Sequence, residues 1–242
     1  MKQAIVLIGG YNSVWPGYLK MARDLEDVTR AVSPPGLKVI GVPLMPWHWW
    51  EARRTRDGTQ ILQKLQETVA WARRRLGADR VVLVGHSAGG VIARLYLHEG
   101  PVWGHIYAGV EQVTALITLG SPHCGDRQEG IGWILTDEAN RLVPGTPYAG
   151  RVRTLAVAGR YLQGQANGEY PVRRAYYFYR YFAGQGNVWG DGMVPVQSAC
   201  LEGAETLILE GVAHSGKYGH SWYGASQAII QRWWSQGWTD AR

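Results

Sequence analysis

The sequence has little cysteine and no long apolar run. Its 242 residues include only 2 Cys. These two, Cys124 and Cys200, form neither a C-x-x-C pair nor a spacing typical of metal ligands. No run approaches the roughly 18 apolar residues of a membrane-spanning helix, and the apolar run within residues 1–9 is too short for a signal peptide. These absences favour a cytoplasmic protein with no transmembrane segment.

Phenylalanine is also scarce, with 2 Phe against 12 Trp. A core could use Phe, so we expect many Trp rings to be partly exposed or to line a pocket. Trp15, Trp47, Trp49, Trp50 and Trp133 are the candidates for an apolar pocket. Packing in the core is the equally weighted alternative for the same residues.

Acidic residues are fewer than basic ones, with 19 Asp and Glu against 25 Lys and Arg, which gives a formal net charge of +6. Arginines cluster at 53–56, 73–75 and 173–174. Solvated helix faces are the simpler interpretation, and weak attraction to an anionic membrane surface is the alternative. No nucleic-acid-binding module accompanies these clusters, so nucleic acid is not an expected partner.

Apolar segments alternate with amphipathic ones along the whole chain, which predicts a single α/β domain over 1–242. We expect a doubly wound, mostly parallel sheet with helices on both faces. Strands are predicted at 4–8, 37–42, 80–84, 113–119, 153–158 and 205–209. Helices are predicted at 18–32, after Asp57, at 88–98 and at 222–234. Residues 43–50 are predicted as a loop, 124–150 as a lid, and 159–190 as an aromatic insertion.

The chain is organised around residues 81–95, where an apolar strand enters a tight turn and an apolar-periodic helix follows at once. Gly85 to Gly89 fit G-x-S-x-G, the nucleophile elbow. Side chains at positions 85 and 89 would collide with the neighbouring strand and helix, so glycine is needed there. Ser87 is therefore the candidate nucleophile, displayed on a strained backbone at the carboxyl edge of the sheet.

A serine nucleophile needs a base and an acid that orients the base. His214 follows the last predicted strand, where a base is expected, and His220 in the same loop is its rival. Asp191 lies in a Gly-Asp-Gly turn and is the candidate acid. A simple turn aspartate is the alternative. For the oxyanion we expect the N–H groups of Ala88, after the nucleophile, and Tyr11, in the Gly-Gly-Tyr loop after the first strand.

Together these segments resemble the α/β-hydrolase superfamily, in particular its lipase- and esterase-like members. The matching segments are the Gly-Gly-Tyr loop and residues 85–90, 119–123, 190–198 and 209–215. The sequence is most similar to lipase-like hydrolases of cyanobacteria and plant plastids. The resemblance implies that Ser87, Asp191 and His214 form a catalytic triad. The two leading strands usual in the superfamily are missing, so we expect a shortened sheet of about six strands.

From this pattern we expect a serine hydrolase that cleaves carboxylic esters, either small-molecule or lipid, without a metal or organic cofactor. A thioesterase, amidase or acyltransferase using the same triad is the first alternative. A non-catalytic binding module is the second. The sequence leaves acyl-chain length and oligomeric state open.

Overall fold

Six parallel strands form the main sheet in the computed structural model, which describes residues 2–32, 35–124 and 131–238. Their order across the sheet is β10-β7-β6-β3-β1-β2. Two short antiparallel pairs, β4–β5 and β8–β9, lie outside it. The strands are β1 (Gln3–Ile8), β2 (Val39–Gly41), β3 (Arg80–His86), β4 (Pro101–Val102), β5 (His105–Ile106), β6 (Val113–Leu119), β7 (Arg153–Arg160), β8 (Leu162–Gln163), β9 (Trp189–Gly190) and β10 (Glu205–Glu210).

Helices connect the strands and cover both faces of the main sheet. The α-helices are α1 (Leu19–Val32), α2 (Pro46–Thr55), α3 (Thr59–Leu76), α4 (Ala88–Tyr96), α5 (Ile131–Leu142), α6 (Tyr170–Ala183), α7 (Val196–Ala199) and α8 (Gln227–Trp238). This architecture confirms the predicted α/β-hydrolase type of fold with a six-stranded sheet.

Alternate side chains of β1 point into two separate cores. Ala4, Val6 and Ile8 pack with α2, α3, α4 and α5 on one face. Ile5 and Leu7 pack with α1 and α8 on the other. Successive side chains of a strand point to opposite faces, so a strand buried on both sides is apolar throughout. This is the pattern from which the strand was predicted.

Helix α2 corrects the prediction of a loop at residues 43–50. Met45 has an extended backbone and Pro46 occupies the first helical turn, where its fixed φ suits a helix. The N–H of Met45, the N-cap residue, donates a hydrogen bond of 3.0 Å to His48 Nδ1, so this backbone group has a partner at the start of the helix. Pro46 was interpreted as a loop residue, whereas here it begins the helix.

Other boundaries differ from the predictions in smaller ways. The last helix begins at Gln227 instead of residue 222, and β2 covers only Val39–Gly41 of the predicted 37–42. Gly58 is the N-cap residue of the long helix, and Asp57, which was predicted to cap it, lies one residue earlier, where its Oδ1 accepts the Thr59 N–H at 2.7 Å. The predicted aromatic insertion contains a complete helix, α6.

The predicted lid at 124–150 is only partly described, because residues 125–130 lie outside the described ranges. Its helix α5 buries Leu135 and Ala139 in the core that also contains α3 and α4. Arg94 of α4 donates hydrogen bonds to Asn140 Oδ1 and Val143 O at 3.0 and 2.7 Å. Movement of this segment stays a prediction.

None of the helices within the described ranges combines the length and apolar character needed to cross a bilayer. Cys124 and Cys200 are both free thiols.

Trp233 is the side chain whose removal tests the α8 side of the core. It is fully buried, and its indole N–H donates to the Tyr223 carbonyl at 3.0 Å. We expect Trp233→Ala to lower the free energy of unfolding by about 3–5 kcal/mol in urea titrations. The control Trp71→Ala, at a side chain 45% exposed, should stay within about 0.5 kcal/mol of wild type. Equal losses in both variants would contradict this packing.

Candidate active site

Ser87 lies on a sharp turn between β3 and α4, as the G-x-S-x-G motif predicts. Its backbone has φ 54° and ψ −130°, a strained combination for a residue with a side chain. Its N–H donates to Leu119 O at 2.9 Å, and its carbonyl accepts the Gly90 N–H at 3.0 Å. These bonds hold the turn in a conformation that an isolated peptide would not favour.

The glycines of the elbow are required by the close approach of α4 to the strands. A Cβ at Gly85 would collide with the Gly90 backbone, and one at Gly89 would collide with the Ile8 carbonyl. A Cβ at Gly10 would come within 2.7 Å of Ser87 Cβ. The loop after β1 therefore packs directly against the candidate nucleophile.

His214 and Asp191 are joined by a buried hydrogen bond. His214 Nδ1 donates to Asp191 Oδ2 at 2.7 Å, and both side chains are almost completely buried. The His214 N–H also donates to the Asp191 carbonyl at 2.8 Å. His220, the rival candidate, is exposed. The bond at Nδ1 leaves Nε2 as the ring atom available to a substrate or nucleophile.

The Asp191 carboxylate accepts three more hydrogen bonds. Oδ1 accepts the N–H groups of Met193 and Val194 at 3.0 and 2.7 Å. Oδ2 accepts the Tyr223 hydroxyl at 3.0 Å. Burial raises the pKa of Tyr223 well above its ordinary value, and the adjacent carboxylate adds to this, so the hydroxyl stays a donor. Gly192 has φ 95°, which supplies the tight turn that was predicted beside Asp191.

His86, the residue before Ser87, links the loop after β1 to the loop after β10. Its Nε2 donates to the His214 carbonyl at 2.8 Å, so its Nδ1 is the unprotonated atom and accepts the Tyr18 hydroxyl at 2.7 Å. The Tyr18 oxygen in turn accepts the Gly10 N–H at 3.1 Å. Burial lowers the pKa of His86 to about 3, so the ring stays neutral near neutral pH. The rings of His86 and His214 lie 4.8 Å apart.

Tyr11 and Ala88 are the residues predicted to supply the oxyanion hole. Both residues line the same cavity as Ser87. Within the described part of the chain, neither N–H donates a hydrogen bond to another protein group. Both N–H groups are therefore available, and their role stays a prediction.

The cavity at Ser87 has a volume of about 460 Å³ and a mainly apolar lining. Its aromatic wall comes from α6, and Pro122, Met193 and Arg53 complete it. The side chains of this wall are Tyr177, Phe178, Tyr181 and Phe182. A volume of this size is typical of small-molecule sites.

Four of the five tryptophans proposed for the pocket, Trp15, Trp47, Trp49 and Trp50, are not among the residues that line it. Trp49 is fully buried in the core, and Trp15 packs beneath Gly41. Trp47 and Trp50 are 55% and 58% exposed on α2. The Trp133 side chain lies outside the described residues. For Trp15 and Trp49 the core alternative is the correct one, because their side chains turn towards the sheet.

No group of three or more His, Cys, Asp or Glu side chains in the described ranges is arranged to hold a metal ion.

The sheet order, the elbow after β3 and the later loops that carry Asp191 and His214 are those of an α/β-hydrolase fold. A family model described as a PGAP1-like alpha/beta domain matches residues 58–129. This match contains the elbow and ends before Asp191 and His214. A comparison with curated proteins found no match.

Solved structures show the same fold. Two structures of phospholipase PlaB from Legionella pneumophila, one of them in complex with thio-NAD, align with TM-scores of 0.54 and 0.59 at 14% and 15% identity. The alignments cover 89% and 96% of this chain but only 54% and 56% of PlaB, so the chain spans just over half the length of that protein. The lin2722 gene product from Listeria innocua aligns with a TM-score of 0.57 at 17% identity, covering 100% of this chain and 96% of the other. The predicted similarity to cyanobacterial and plastid hydrolases stays a prediction.

Sequence reasoning missed three residues of this site. His86 was overlooked because only histidines after Ser87 were considered as the base. Tyr223 has no motif of its own, although it follows the base loop in sequence. Arg53 was interpreted as one of a basic cluster, whereas the structure places it in the cavity wall.

Buried His86 should make the fold acid-sensitive. Unfolded histidine titrates near 6.5, while the pKa of His86 in the fold is about 3. Between these values the unfolded chain binds a proton that the native protein excludes. Stability should therefore fall as pH drops below about 6.5, by up to roughly 1.4 kcal/mol per pH unit for this group.

Urea titrations from neutral to acid pH would measure this slope in wild type, His86→Gln and the exposed control His220→Gln. We expect His86→Gln to be less stable at neutral pH and to lose stability less steeply in acid, since glutamine cannot be protonated. His220→Gln should follow wild type. An unchanged slope in His86→Gln would show that His86 is not held neutral.

Proposed function

We propose that this chain is a serine hydrolase that cleaves carboxylic esters through an acyl-enzyme on Ser87. The observation that carries the proposal is the buried Asp191–His214 hydrogen bond of 2.7 Å, which joins the loops after β9 and β10. The His214 carbonyl accepts a hydrogen bond from His86, the residue before Ser87, which ties this pair to the elbow. The strained backbone of Ser87 and the apolar cavity beside it are further support. The fold shared with the Legionella phospholipase supports hydrolysis in general, and the type of ester is part of the proposal.

In the proposed reaction His214 Nε2 removes the Ser87 hydroxyl proton as Oγ attacks the ester carbonyl carbon. The Asp191 carboxylate stabilises the imidazolium that forms. The N–H groups of Tyr11 and Ala88 bind the oxyanion, each contributing about 3 kcal/mol to stabilisation of the transition state. The alcohol leaves with the proton from His214. Water, deprotonated by the same ring, then releases the acid and regenerates Ser87.

The aromatic wall of the cavity supports an apolar acyl chain as the preferred substrate group. Four side chains from α6 supply this wall, and such rings bury large apolar area. A cytoplasmic location and weak contact with a membrane surface belong to the same proposal. The exposed side chains of Trp47 and Trp50 support the membrane contact.

Hydrolysis of p-nitrophenyl esters from acetate to palmitate tests this function. Wild type should turn over these esters with an optimum at medium or long chains, and Ser87→Ala should be inactive. We expect His214→Ala and Asp191→Asn to lower kcat by several orders of magnitude, on the order of 10⁴ for the loss of the orienting acid.

Two matched controls separate these effects from general damage. His220→Ala and Asp137→Asn change exposed residues of the same types, and both should keep wild-type rates. Loss of activity in His220→Ala with retention in His214→Ala would overturn the assignment of the base. Turnover of matched thioesters or amides without turnover of esters would replace ester hydrolysis with one of those reactions.

A further inference from the structure

Arg53 is a cation in the wall of the cavity that contains Ser87. Among the described residues that line this cavity, it is the one side chain with a formal charge. The other lining groups are aromatic, aliphatic or hydroxyl-bearing. A ligand filling this space would therefore meet apolar surface together with a single positive charge.

Arg53 also differs from its neighbour in pairing. Within the ranges that the structure describes, it has no acidic partner, whereas its neighbour Arg54 forms a salt bridge with Glu51 at 2.6 Å. Both arginines belong to the last turn of α2. Only Arg53 lines the cavity, so these adjacent residues of equal charge differ in pairing and in position.

The position of α2 places this cation beside the oxyanion loop. The Tyr11 ring contacts the Trp49 ring edge-on, with centroids 5.7 Å apart. Trp49 is buried in the core, so it anchors α2 against the loop that contains Tyr11. The apolar wall comes from another element, α6. Cationic and apolar parts of the cavity are thus supplied by separate helices.

We propose that Arg53 binds an anionic group of the substrate, a phosphate or a carboxylate, while the α6 aromatic side chains hold its apolar chain. This inference rests on the proposed ester hydrolysis. The substrate class is an amphiphilic, negatively charged ester. Hydrolysis adds water across the ester bond and releases a fatty acid and an alcohol, with the anionic group unchanged.

A guanidinium suits this task because its planar fork donates two parallel hydrogen bonds to a phosphate or carboxylate. Arg53 is exposed, so its attraction for an anion is weakened by water and by salt. We therefore expect anionic esters to be preferred over neutral ones by about tenfold, which corresponds to the low end of the free energy of a charge-assisted hydrogen bond. Because Arg53 contacts the anionic group and not the reacting atoms, its loss should raise KM for an anionic ester and leave kcat nearly unchanged.

The test compares three lauroyl esters below their micelle concentrations: lauroylglycerol, lauroylglycerol phosphate and lauroyl glycolate. Fatty-acid release gives kcat and KM for wild type, Arg53→Gln, Arg53→Lys and the matched control Arg54→Gln. Wild type and Arg54→Gln should prefer one or both anionic esters by about tenfold in kcat/KM. Arg53→Gln should lose this preference while retaining activity on the neutral ester, and Arg53→Lys should keep part of it.

The two anionic esters distinguish a phosphate from a carboxylate as the bound group. A preference that disappears equally in Arg53→Gln and Arg54→Gln would show a general charge effect and overturn the inference. Wild type that cleaves all three esters with equal kcat/KM would overturn it too, while leaving ester hydrolysis standing.

Equilibrium binding tests the Arg53 site without any turnover. Calorimetry with dodecyl phosphate, laurate and the neutral dodecyl glucoside, all below micelle formation, would use Ser87→Ala with and without Arg53→Gln or Arg54→Gln. We expect Arg53→Gln to weaken binding of at least one anionic amphiphile about tenfold and to leave the neutral one unchanged. Equal binding in all variants would overturn the inference. Selective binding without ester turnover in wild type would retain the site and reject the proposed reaction.

Discussion

Close approach of α4 to the carboxyl ends of β1 and β6 is the constraint on which the rest of the site depends. The helix begins directly after Ser87, and glycine at 85 and 89 is needed because any side chain there would overlap neighbouring backbone. This packing holds Ser87 at φ 54°, where an ordinary loop would relax. It also aims the positive end of α4 at the cavity.

A second buried network positions Asp191 and His214, the candidate acid and base. The Asp191 carboxylate accepts four hydrogen bonds, and the Tyr223 hydroxyl that donates one of them also accepts the Gly159 N–H at 2.7 Å. The indole N–H of Trp233 in α8 donates a hydrogen bond to the Tyr223 carbonyl and so holds this residue in place. His86 joins this side to the loop after β1 through His214 and Tyr18. The elbow, the acid loop and the base loop are thus linked through the core beneath the cavity.

The parts of this arrangement that depend on local pattern could be predicted from sequence. Strand β6 was predicted with the bounds that the structure has, because a buried parallel strand is apolar at nearly every position. The elbow was recognisable because its glycines serve steric needs within a few residues. His214 was chosen over His220 because it lies nearer the end of the last strand. The structure shows His214 bonded to Asp191, and its role as the base stays a prediction.

Features that depend on tertiary contacts could not be predicted. Pro46 and a Trp-rich composition gave no periodic signal for α2, and its entry depends on His48. Which aromatics line the cavity is decided by how α6 folds back over the elbow, and hydropathy does not distinguish Tyr181 from Trp49 in this respect. The linking role of His86 requires Tyr18 and His214, which are distant in sequence.

Covalent labelling with a fluorophosphonate tests the central claim, that Ser87 is an activated nucleophile, most directly. Trypsin should release residues 81–94 as one peptide, in which Ser87 is the only hydroxyl-bearing side chain, so mass spectrometry can place the adduct without ambiguity. We expect a stoichiometric adduct on this peptide in the folded wild type, and strongly slowed labelling in His214→Ala. An absence of labelling in the folded wild type, or an adduct confined to another peptide, would contradict it.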